Sequence, residues 1–429
     1  MRSTSDSPYP EAATGLEVRP FRALTYRRRD PGHLARVSSP AYDLVTPEGR
    51  DRLIAADPHN VVRLILPGVA SGVDGSGGDG LRRSVAGAAG MLRDWEQAGV
   101  LERDAEPALW VYALSPADGA PDTVGWLAAV ELPPAGSRAV LPHEDTFPGA
   151  VEGRRALLEA TATDLEPIVL AHDPHPGLPA LTVAAQDGPP TLEVTEADGV
   201  RHALWRVADP ALTGPVTAAL ADTEAVIADG HHRFAAARAH GARAILALVT
   251  PMGPGGLRVH PIHRVVPDLA LTEALAAASA GFRATELPVG AGGPAETVQR
   301  WITAPGGAGL LVSDGSRVVR LDSPSADVLD AVPAEAPEAW RGLDVVLVHH
   351  GLVHRLWGRT DDGGAVLIAH GIDEALAGAR SRHGVAVLLR APSPADVAAV
   401  ARANARMPRK STLFVPKPRT GLVLRPHGD

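Results

Sequence analysis

Cysteine is absent from the 429-residue chain, which excludes disulfides, thiolate metal sites, iron–sulfur clusters and cysteine nucleophiles. Lysine is nearly absent as well, since Lys410 and Lys417 are the only two lysines among the 41 basic residues. The formal net charge of −9 argues against a protein that coats nucleic acid, because that task requires a basic surface. The composition therefore favours a small-molecule partner over nucleic acid.

Long hydrophobic runs are also missing from the sequence. No stretch of about 18 apolar residues occurs, so no membrane span is predicted and a cytoplasmic location is the expectation. The first ten residues lack the apolar segment of a signal peptide, and we interpret residues 1–15 as a disordered tail. Hydrophobic residues at 45% and charged residues at 21% are typical of a globular protein.

Apolar runs typical of buried strands alternate with helical patterns along the rest of the chain. The clearest predicted elements are strands 109–114, 124–131, 225–228 and 244–249 and helices 81–97, 154–161 and 232–240. A further strand is predicted over residues 61–66. The glycine-rich stretch 68–80 lacks the lysine and the spacing of a phosphate loop, so a flexible linker is predicted there. The predicted fold class is α/β, in the α+β sense, with a mixed sheet.

The strongest functional signal is a strand, a glycine turn and a helix in immediate succession. A buried strand ends at Asp229, Gly230 makes the turn, and an alanine-rich helix follows. Backbone amides at a helix start bind anions, and a glycine lets the ligand approach closely. His231, His232 and Arg233 add donors where cations are unfavourable unless an anion offsets them. The turn predicts a phosphate site with Gly230, His232 and Arg233 as binding residues and with Asp229 and His231 as candidate catalytic residues.

A structural interpretation of the same turn stays open. In that interpretation Asp229 caps the helix, Arg233 pairs with Asp229, and both histidines lie on the surface.

The stretch from Gly230 to Ala236 resembles the glycine-x-histidine-arginine signature of the ParB-like and sulfiredoxin superfamily, in which this turn holds nucleotide phosphates. Sulfiredoxins carry a catalytic cysteine where this chain has His231, so sulfiredoxin chemistry is excluded. Free-serine kinases of the same superfamily carry a similar turn. The resemblance implies a ParB/sulfiredoxin-like nucleotide-binding core over residues 16–268 and a second α/β region over residues 269–429.

A broader resemblance covers nearly the whole chain. Six stretches stand in the order typical of the bacterial family known as domain of unknown function 1015: Val18–Ala23, Ser39–Asp43, Asn60–Leu64, His143–Thr146, the glycine turn, and Met407–Thr412. Ala41 stands where the family pattern has a second proline. This resemblance implies no activity, so the function is inferred from the turn.

Two neighbouring candidate residues, His143 and Glu144, lie in a predicted loop before a helix. A glutamate beside a histidine suits a general base that takes a proton from a substrate hydroxyl. Glu144 or Asp229 would alternatively hold Mg²⁺. His143 and Arg264 are expected to line the substrate pocket, and a solvated acidic loop is the structural alternative for Glu144.

Four further candidates come from other stretches. Tyr42 and Asp43 end a rigid Ser-Pro segment and would line the pocket, although a turn-forming aspartate explains Asp43 equally well. Arg63 interrupts an apolar run and would pair with a carboxylate or a bound phosphate. Lys410 is the candidate contact to a β- or γ-phosphate, with structural pairing as the alternative.

The remaining histidine groupings, at residues 260–263 and 349–350, raise the question of zinc, but no third ligand stands at a recognisable spacing. Side chains of adjacent residues diverge by about 100° on an α-helix and point to opposite faces of a strand. A metal site made by the protein alone is therefore not predicted.

The combined prediction is a phosphoryl-transfer enzyme that phosphorylates a small hydroxyl compound such as free serine. The donor would be a nucleotide (ATP, ADP or CTP) or pyrophosphate, with Mg²⁺ as the cofactor. The alternatives are a ParB-like, CTP-gated regulator that binds DNA or a protein, and a non-catalytic nucleotide-binding protein. The oligomeric state and the acceptor stay open.

Overall fold

The computed structural model describes residues 15–68, 78–117, 119–253, 255–304, 309–360, 364–408 and 410–428. Apart from Gly15, the predicted tail lies outside the described residues, and so do residues 69–77 of the predicted linker. The chain divides into two compact units. The first unit is formed by Met1–Pro142, Thr146–Arg258 and Pro416–Asp429, and the second by His143–Asp145 and Val259–Val415. The predicted division of the chain at residues 268 and 269 stays a prediction.

The strands of the described chain are β1 (Val18–Arg19), β2 (Leu24–Tyr26), β3 (Leu101–Arg103), β4 (Leu109–Ser115), β5 (Thr123–Glu131), β6 (Val140–Leu141), β7 (Thr163–Asp164), β8 (Ile168–His172), β9 (Leu192–Thr195), β10 (Arg201–Val207), β11 (Ala225–Asp229), β12 (Ala244–Pro251), β13 (Arg258–Pro261), β14 (His263–Val266), β15 (Arg283–Leu287), β16 (Leu310–Ser313), β17 (Val318–Asp322), β18 (Leu367–Ala369), β19 (Val385–Leu388), β20 (Thr412–Val415) and β21 (Arg425–Pro426).

The helices are α1 (Pro31–Val37), α2 (Pro47–Ala56), α3 (Val62–Ile65), α4 (Gly78–Gln97), α5 (Pro148–Thr161), α6 (Leu178–Ala185), α7 (Pro210–Ala221), α8 (His231–His240), α9 (Leu271–Ala278), α10 (Gly293–Thr303), α11 (Ala326–Leu329), α12 (Glu338–Arg341), α13 (Asp344–Val346), α14 (Ile372–Ser381) and α15 (Pro394–Arg402). A 3₁₀ turn covers Tyr42–Leu44, and a π-helix covers Leu347–Leu356. None of the described helices combines the length and the hydropathy needed to cross a lipid bilayer.

The main sheet of the first unit has nine strands and mixed pairing. Its order is β6-β11-β8-β12-β5-β4-β10-β9, with β1 paired to β5. The pairs β6–β11 and β8–β12 are parallel, whereas the other pairs are antiparallel. The predicted mixed sheet and α/β class are confirmed.

Two hydrophobic cores cover the two faces of this sheet. Along β4, Trp110 and Tyr112 pack into one core, whereas Leu109 and Val111 pack into the other. This alternation follows from the two-residue period of a strand. All four side chains are at most 1% exposed, so β4 lies in the interior with both faces covered by apolar layers.

The second unit has its own antiparallel sheet of six strands in the order β15-β17-β16-β19-β14-β18. Its core contains the apolar face of α14 (Ala375, Leu376 and Ala379), which packs with Val265 of β14. This unit therefore buries a hydrophobic core independently of the first.

The prediction of a strand over residues 61–66 is wrong, because Val62–Ile65 form the short helix α3. The buried side chain of Asn60 accepts a hydrogen bond from the Val62 backbone N–H at 2.9 Å. An asparagine that bonds two residues ahead starts a turn rather than a strand. A short apolar run alone does not distinguish a buried strand from a buried helical turn.

Candidate functional site

The predicted glycine turn is present in the first unit. Strand β11 ends at Asp229, Gly230 adopts the left-handed conformation with φ of 93°, and α8 starts at His231. A Cβ atom on Gly230 would lie 2.6 Å from Cγ2 of Ile168 in β8. Both the positive φ and this close approach require glycine. Gly230 is also the N-cap residue, so the interpretation that Asp229 caps the helix is wrong.

Asp229 holds two cations at this turn. Its Oδ2 lies 2.5 Å from Nη2 of Arg233, and its Oδ1 lies 2.7 Å from Nζ of Lys417. The same Lys417 nitrogen lies 2.5 Å from Oδ2 of Asp43. The Lys417 side chain is 8% exposed and the Arg233 side chain 11%. The ion pair between Asp229 and Arg233 that the structural interpretation requires is therefore present, within a larger network.

The carboxylates of this network keep both cations charged. Burial by itself lowers the pKa of Lys417, but Asp229 and Asp43 outweigh burial and raise that pKa above its ordinary value. Burial likewise opposes the charge of Arg233, whereas Glu166 and Asp229 outweigh it and raise the pKa of Arg233. Both side chains are cations at neutral pH.

Tyr42 joins the network through its ring and its backbone. The guanidinium carbon of Arg154 lies 3.7 Å from the centroid of the Tyr42 ring, and that of Arg233 lies 5.6 Å from it. The Tyr42 N–H donates to Oε1 of Glu166 at 3.2 Å, and the Thr420 hydroxyl donates to the same oxygen at 3.0 Å. Burial raises the pKa of the Tyr42 phenol, so this group is neutral at physiological pH.

Nη1 of Arg154 lies 3.9 Å from Oε2 of Glu166. The acid–base cluster, which combines three carboxylates with three cations, therefore consists of Asp43, Glu166, Asp229, Arg154, Arg233 and Lys417. Sequence reasoning predicted Asp43, Asp229 and Arg233, together with Tyr42 and Gly230, and the structure brings these residues together. It missed Lys417, Glu166 and Arg154. The one signal for Lys417 is its rarity, since an arginine-rich chain keeps lysine at only two positions.

The two histidines of the turn point into different surroundings. His231 is 8% exposed. The ring of His232 stacks on Phe147 with 5.9 Å between centroids, and its Nε2 accepts the Phe147 N–H at 3.1 Å. With Nε2 as the acceptor, neutral His232 carries its proton on Nδ1. Their predicted roles at a phosphate site stay predictions.

The cavity beside the cluster is small. It has a volume of about 50 Å³ and is lined by Arg154, Glu166, Arg233 and apolar residues of α5 and α8. By this measure a cavity needs only about 10–15 Å³ to hold one water molecule, so the volume suits a few waters. A nucleotide does not fit inside it. A larger cavity of about 790 Å³ lies in the second unit, between β13, α10 and the start of α14.

Three predicted residues lie together in the second unit. Oε1 of Glu144 accepts the backbone N–H of Lys410 at 3.1 Å. Nε2 of His143 lies 2.9 Å from Oγ1 of Thr412, and the His143 carbonyl accepts the Met407 N–H at 2.8 Å. Two stretches of the family pattern that are far apart in the sequence are therefore in direct contact. The proposed roles of Glu144 as base and of Lys410 as phosphate contact stay predictions.

The two remaining candidates make local contacts. Nη2 of Arg63 donates to the carbonyl of Ile54 at 3.0 Å. Arg264 is buried in β14 of the second unit, with Nη1 3.4 Å from the His263 carbonyl. Their predicted roles in a pocket stay predictions.

Taken together, the fold and the cluster define a mixed α/β protein with a buried acid–base network at a strand–glycine–helix turn. The chain belongs to the family described as protein of unknown function DUF1015, whose model matches residues 18–346. No match was found among curated proteins.

Three solved structures are similar at low identity. The chain is 15% identical to a free serine kinase in complex with AMP, with 71% of this chain and 94% of that chain covered and a TM-score of 0.34. The chain is also 15% identical to SbnI with a C-terminal truncation from Staphylococcus aureus, with 69% of this chain and 85% of that chain covered and a TM-score of 0.35. It is 14% identical to a conserved hypothetical protein from Pyrococcus furiosus, with 69% of this chain and 93% of that chain covered and a TM-score of 0.32. TM-scores below 0.5 carry no inference about function.

Proposed function

We propose that the first unit binds the phosphates of a nucleotide or polyphosphate at the turn formed by residues 229–233. We further propose that the protein transfers a phosphoryl group from this donor to a small hydroxyl compound such as free serine. The supporting observation is the network in which Lys417 bridges Asp43 and Asp229 while Arg233 holds the other oxygen of Asp229.

The cations of the network suit a polyphosphate. The N-terminal end of α8 carries the positive end of the helix dipole and has no acidic residue in its first turn. Arg233 offers a planar set of donors, and Lys417 offers a compact charge. Glycine as the N-cap residue adds no side chain of its own at the start of the helix.

The carboxylates suit the counter-ion of the donor. Asp43 and Asp229 each place an oxygen within 2.7 Å of a single nitrogen, so two carboxylates already surround one cationic centre. Carboxylate oxygens are the ligands that Mg²⁺ prefers, and these two residues would hold it. Bound Mg²⁺ would supply charge neutralisation at the phosphate oxygens. Lys417 would then leave the carboxylates and pair with the donor's phosphate.

The donor binds over the turn rather than inside the protein, because the adjoining cavity holds only about 50 Å³. Phosphoryl transfer through a loose transition state needs positioning and charge stabilisation more than covalent chemistry. Arg233 and Lys417 supply both, since each carries donors on a side chain that is at least 89% buried. The acceptor hydroxyl needs a general base, and Glu144 stays the predicted one.

Calorimetric titration with ATP, ADP, CTP and pyrophosphate in the presence of Mg²⁺ tests phosphate binding. Replacing Arg233 with Ala removes one charge-assisted hydrogen-bonding group of about 1.5–3 kcal/mol, so the affinity is expected to fall about 10- to 150-fold. Arg155→Ala is the matched control, because Arg155 is an arginine of α5 that pairs with Glu152 and Glu159 outside the network.

Equal binding by wild type and Arg233→Ala would contradict the proposal. If the variant does not fold, the wild type still decides the question, because a ligand of the folded state raises the melting temperature. Absence of any such rise with all four ligands would also contradict it.

A non-catalytic nucleotide-binding protein is the second candidate, since the cations Arg233 and Lys417 suit phosphate binding whether or not a transfer step follows. Detection of phosphoserine by phosphorus NMR separates the two functions. Tight nucleotide binding with no phosphorylated product from any small hydroxyl compound would favour the second candidate. DNA binding with a steep salt dependence would favour a ParB-like regulator.

A further inference from the structure

A π-helix interrupts regular helical geometry in the second unit. Helix α13 (Asp344–Val346) continues directly as the π-helix Leu347–Leu356. At its end, the Trp357 N–H donates to the Leu352 carbonyl five residues back, at 2.9 Å. Single π-turns inside helices are rare and frequently lie at functional sites.

The π-helix brings three histidines to one face. At about 82° per residue, which corresponds to about 4.4 residues per turn, residues five apart differ by only about 50° in direction. On an α-helix the same spacing gives about 140°. The ring centroids of His349 and His354 lie 4.1 Å apart, and those of His349 and His350 lie 4.6 Å apart. One ring nitrogen from each of the three histidines lies within 4.8 Å of the others.

The opposite face of the π-helix is packed and holds the histidines in place. Val348 and Leu352 are at most 2% exposed. A Cβ atom on Gly351 would lie 2.5 Å from Cγ1 of Val328 in α11, so the backbone approaches α11 closely at this point. The three histidines are half-buried and reach solvent. The histidine side chains are therefore only partly exposed, and the backbone that carries them is held against α11.

We propose that His349, His350 and His354 form a binding site for a divalent transition-metal ion, with Zn²⁺ as the expected occupant. Imidazole nitrogens suit Zn²⁺ rather than Mg²⁺ or Ca²⁺. Zn–N distances of about 2.0–2.1 Å in a tetrahedral site place ligand nitrogens about 3.3–3.4 Å apart. The nitrogens within 4.8 Å of one another therefore need to approach by at most about 1.5 Å.

Three protein ligands leave a fourth position for water or for an external ligand. Among the described residues, this is the one group of three or more histidine, aspartate or glutamate side chains with converging ligand atoms. The proposal rests on the second unit alone and stands independently of the phosphate site proposed for the first.

Equilibrium dialysis and calorimetry of the full, untagged, chelator-treated chain with Zn²⁺ test the site. One Zn²⁺ per chain is expected, and His349→Gln and His354→Gln are each expected to weaken binding about 100-fold or more, because a three-ligand site loses a ligand. His370→Gln is the matched control, since it removes an exposed histidine of the same unit and should leave the affinity unchanged.

Full stoichiometry and affinity in the His349→Gln/His354→Gln double variant would overturn the proposal. A loss of Zn²⁺ affinity in His370→Gln equal to that in His349→Gln or His354→Gln would also overturn the proposal. If the variants do not fold, the wild-type protein with Co²⁺ decides the question, because four-coordinate Co²⁺ has an intense visible absorption. Wild type that takes up neither Zn²⁺ nor Co²⁺ would overturn the site without any variant.

Discussion

The same dipeptide, His-His, has different environments at the start of α8 and in the π-helix. In α8, His231 is buried while His232 stacks on Phe147, so the two rings lie in different surroundings. In the π-helix, His349 and His350 both face His354. The backbone geometry therefore decides whether neighbouring histidines can act as one ligand set, and the dipeptide alone does not.

Glycine also acts differently in the two regions. Gly230 has a φ of 93° and admits the turn that no other residue makes without strain. Gly351 is needed only because Val328 lies against it. Gly230 is thus required by backbone conformation together with packing, and Gly351 by packing alone. Three experiments test the differences between the two units.

The largest effect is expected for Glu144→Gln, which tests whether the protein is catalytic. Loss of a general base is expected to lower turnover by about 10²–10⁴-fold while nucleotide affinity stays unchanged. Glutamine keeps an oxygen to accept the Lys410 N–H, so the local fold is retained. Asp145→Asn is the control, since its side chain is 61% exposed. Unchanged turnover, measured as phosphorylated product, would show that Glu144 is not the base.

The next effect compares the two glycines by chemical denaturation. Gly230→Ala is expected to lower the free energy of unfolding by about 2–4 kcal/mol, because it combines a strained φ with overpacking against Ile168. Gly351→Ala involves overpacking alone and is expected to cost about 1–3 kcal/mol. Gly153→Ala in α5 meets open space and serves as the control. If Gly230→Ala and Gly153→Ala changed the free energy of unfolding equally, the turn at Gly230 would not be strained by a side chain.

The smallest effect concerns His263, a buried histidine with a third kind of environment. Burial, with the charge of Arg264 adding to it, lowers the pKa of His263 to about 4. As the pH falls below 6.5, His263 takes up a proton in the unfolded chain but stays neutral in the folded chain until the pH approaches about 4. The free energy of unfolding therefore falls as the pH falls from 6.5 towards 4. We expect a loss of about 2 kcal/mol between pH 8 and pH 5.

Urea denaturation across this pH range measures the loss. His263→Gln should flatten the dependence, although it also disturbs the Leu389 N–H that donates to Nδ1 of His263. His370→Gln should leave it intact. A wild-type stability that is constant from pH 8 to pH 5 would show that His263 titrates normally.

Much of the first unit could be predicted from local signals. The glycine turn, the strand before it and the helix after it follow from residues within a dozen positions of Gly230. Tyr42 and Asp43 were identified as candidates by their Ser-Pro segment, and both lie in the cluster.

The remainder depended on contacts that no local pattern encodes. Lys417 reaches Asp43 across 374 residues of sequence, and no local pattern marked it as a member of the cluster beside Lys410, the predicted phosphate contact. The helical turn at Arg63 depended on a single asparagine side chain. The convergence of three histidines depended on the π-helical geometry of Leu347–Leu356, which the sequence analysis did not predict.

One consequence follows from the return of Pro416–Asp429 to the first unit. This segment supplies Lys417 and Thr420 to the acid–base cluster, and its strand β21 pairs with β7. During translation the ribosome must therefore synthesise the whole second unit before the first can close. A nascent chain arrested within the second unit would expose Asp229 and Glu166 without their C-terminal partners. The first unit consequently completes its acid–base cluster only after synthesis has passed the second unit.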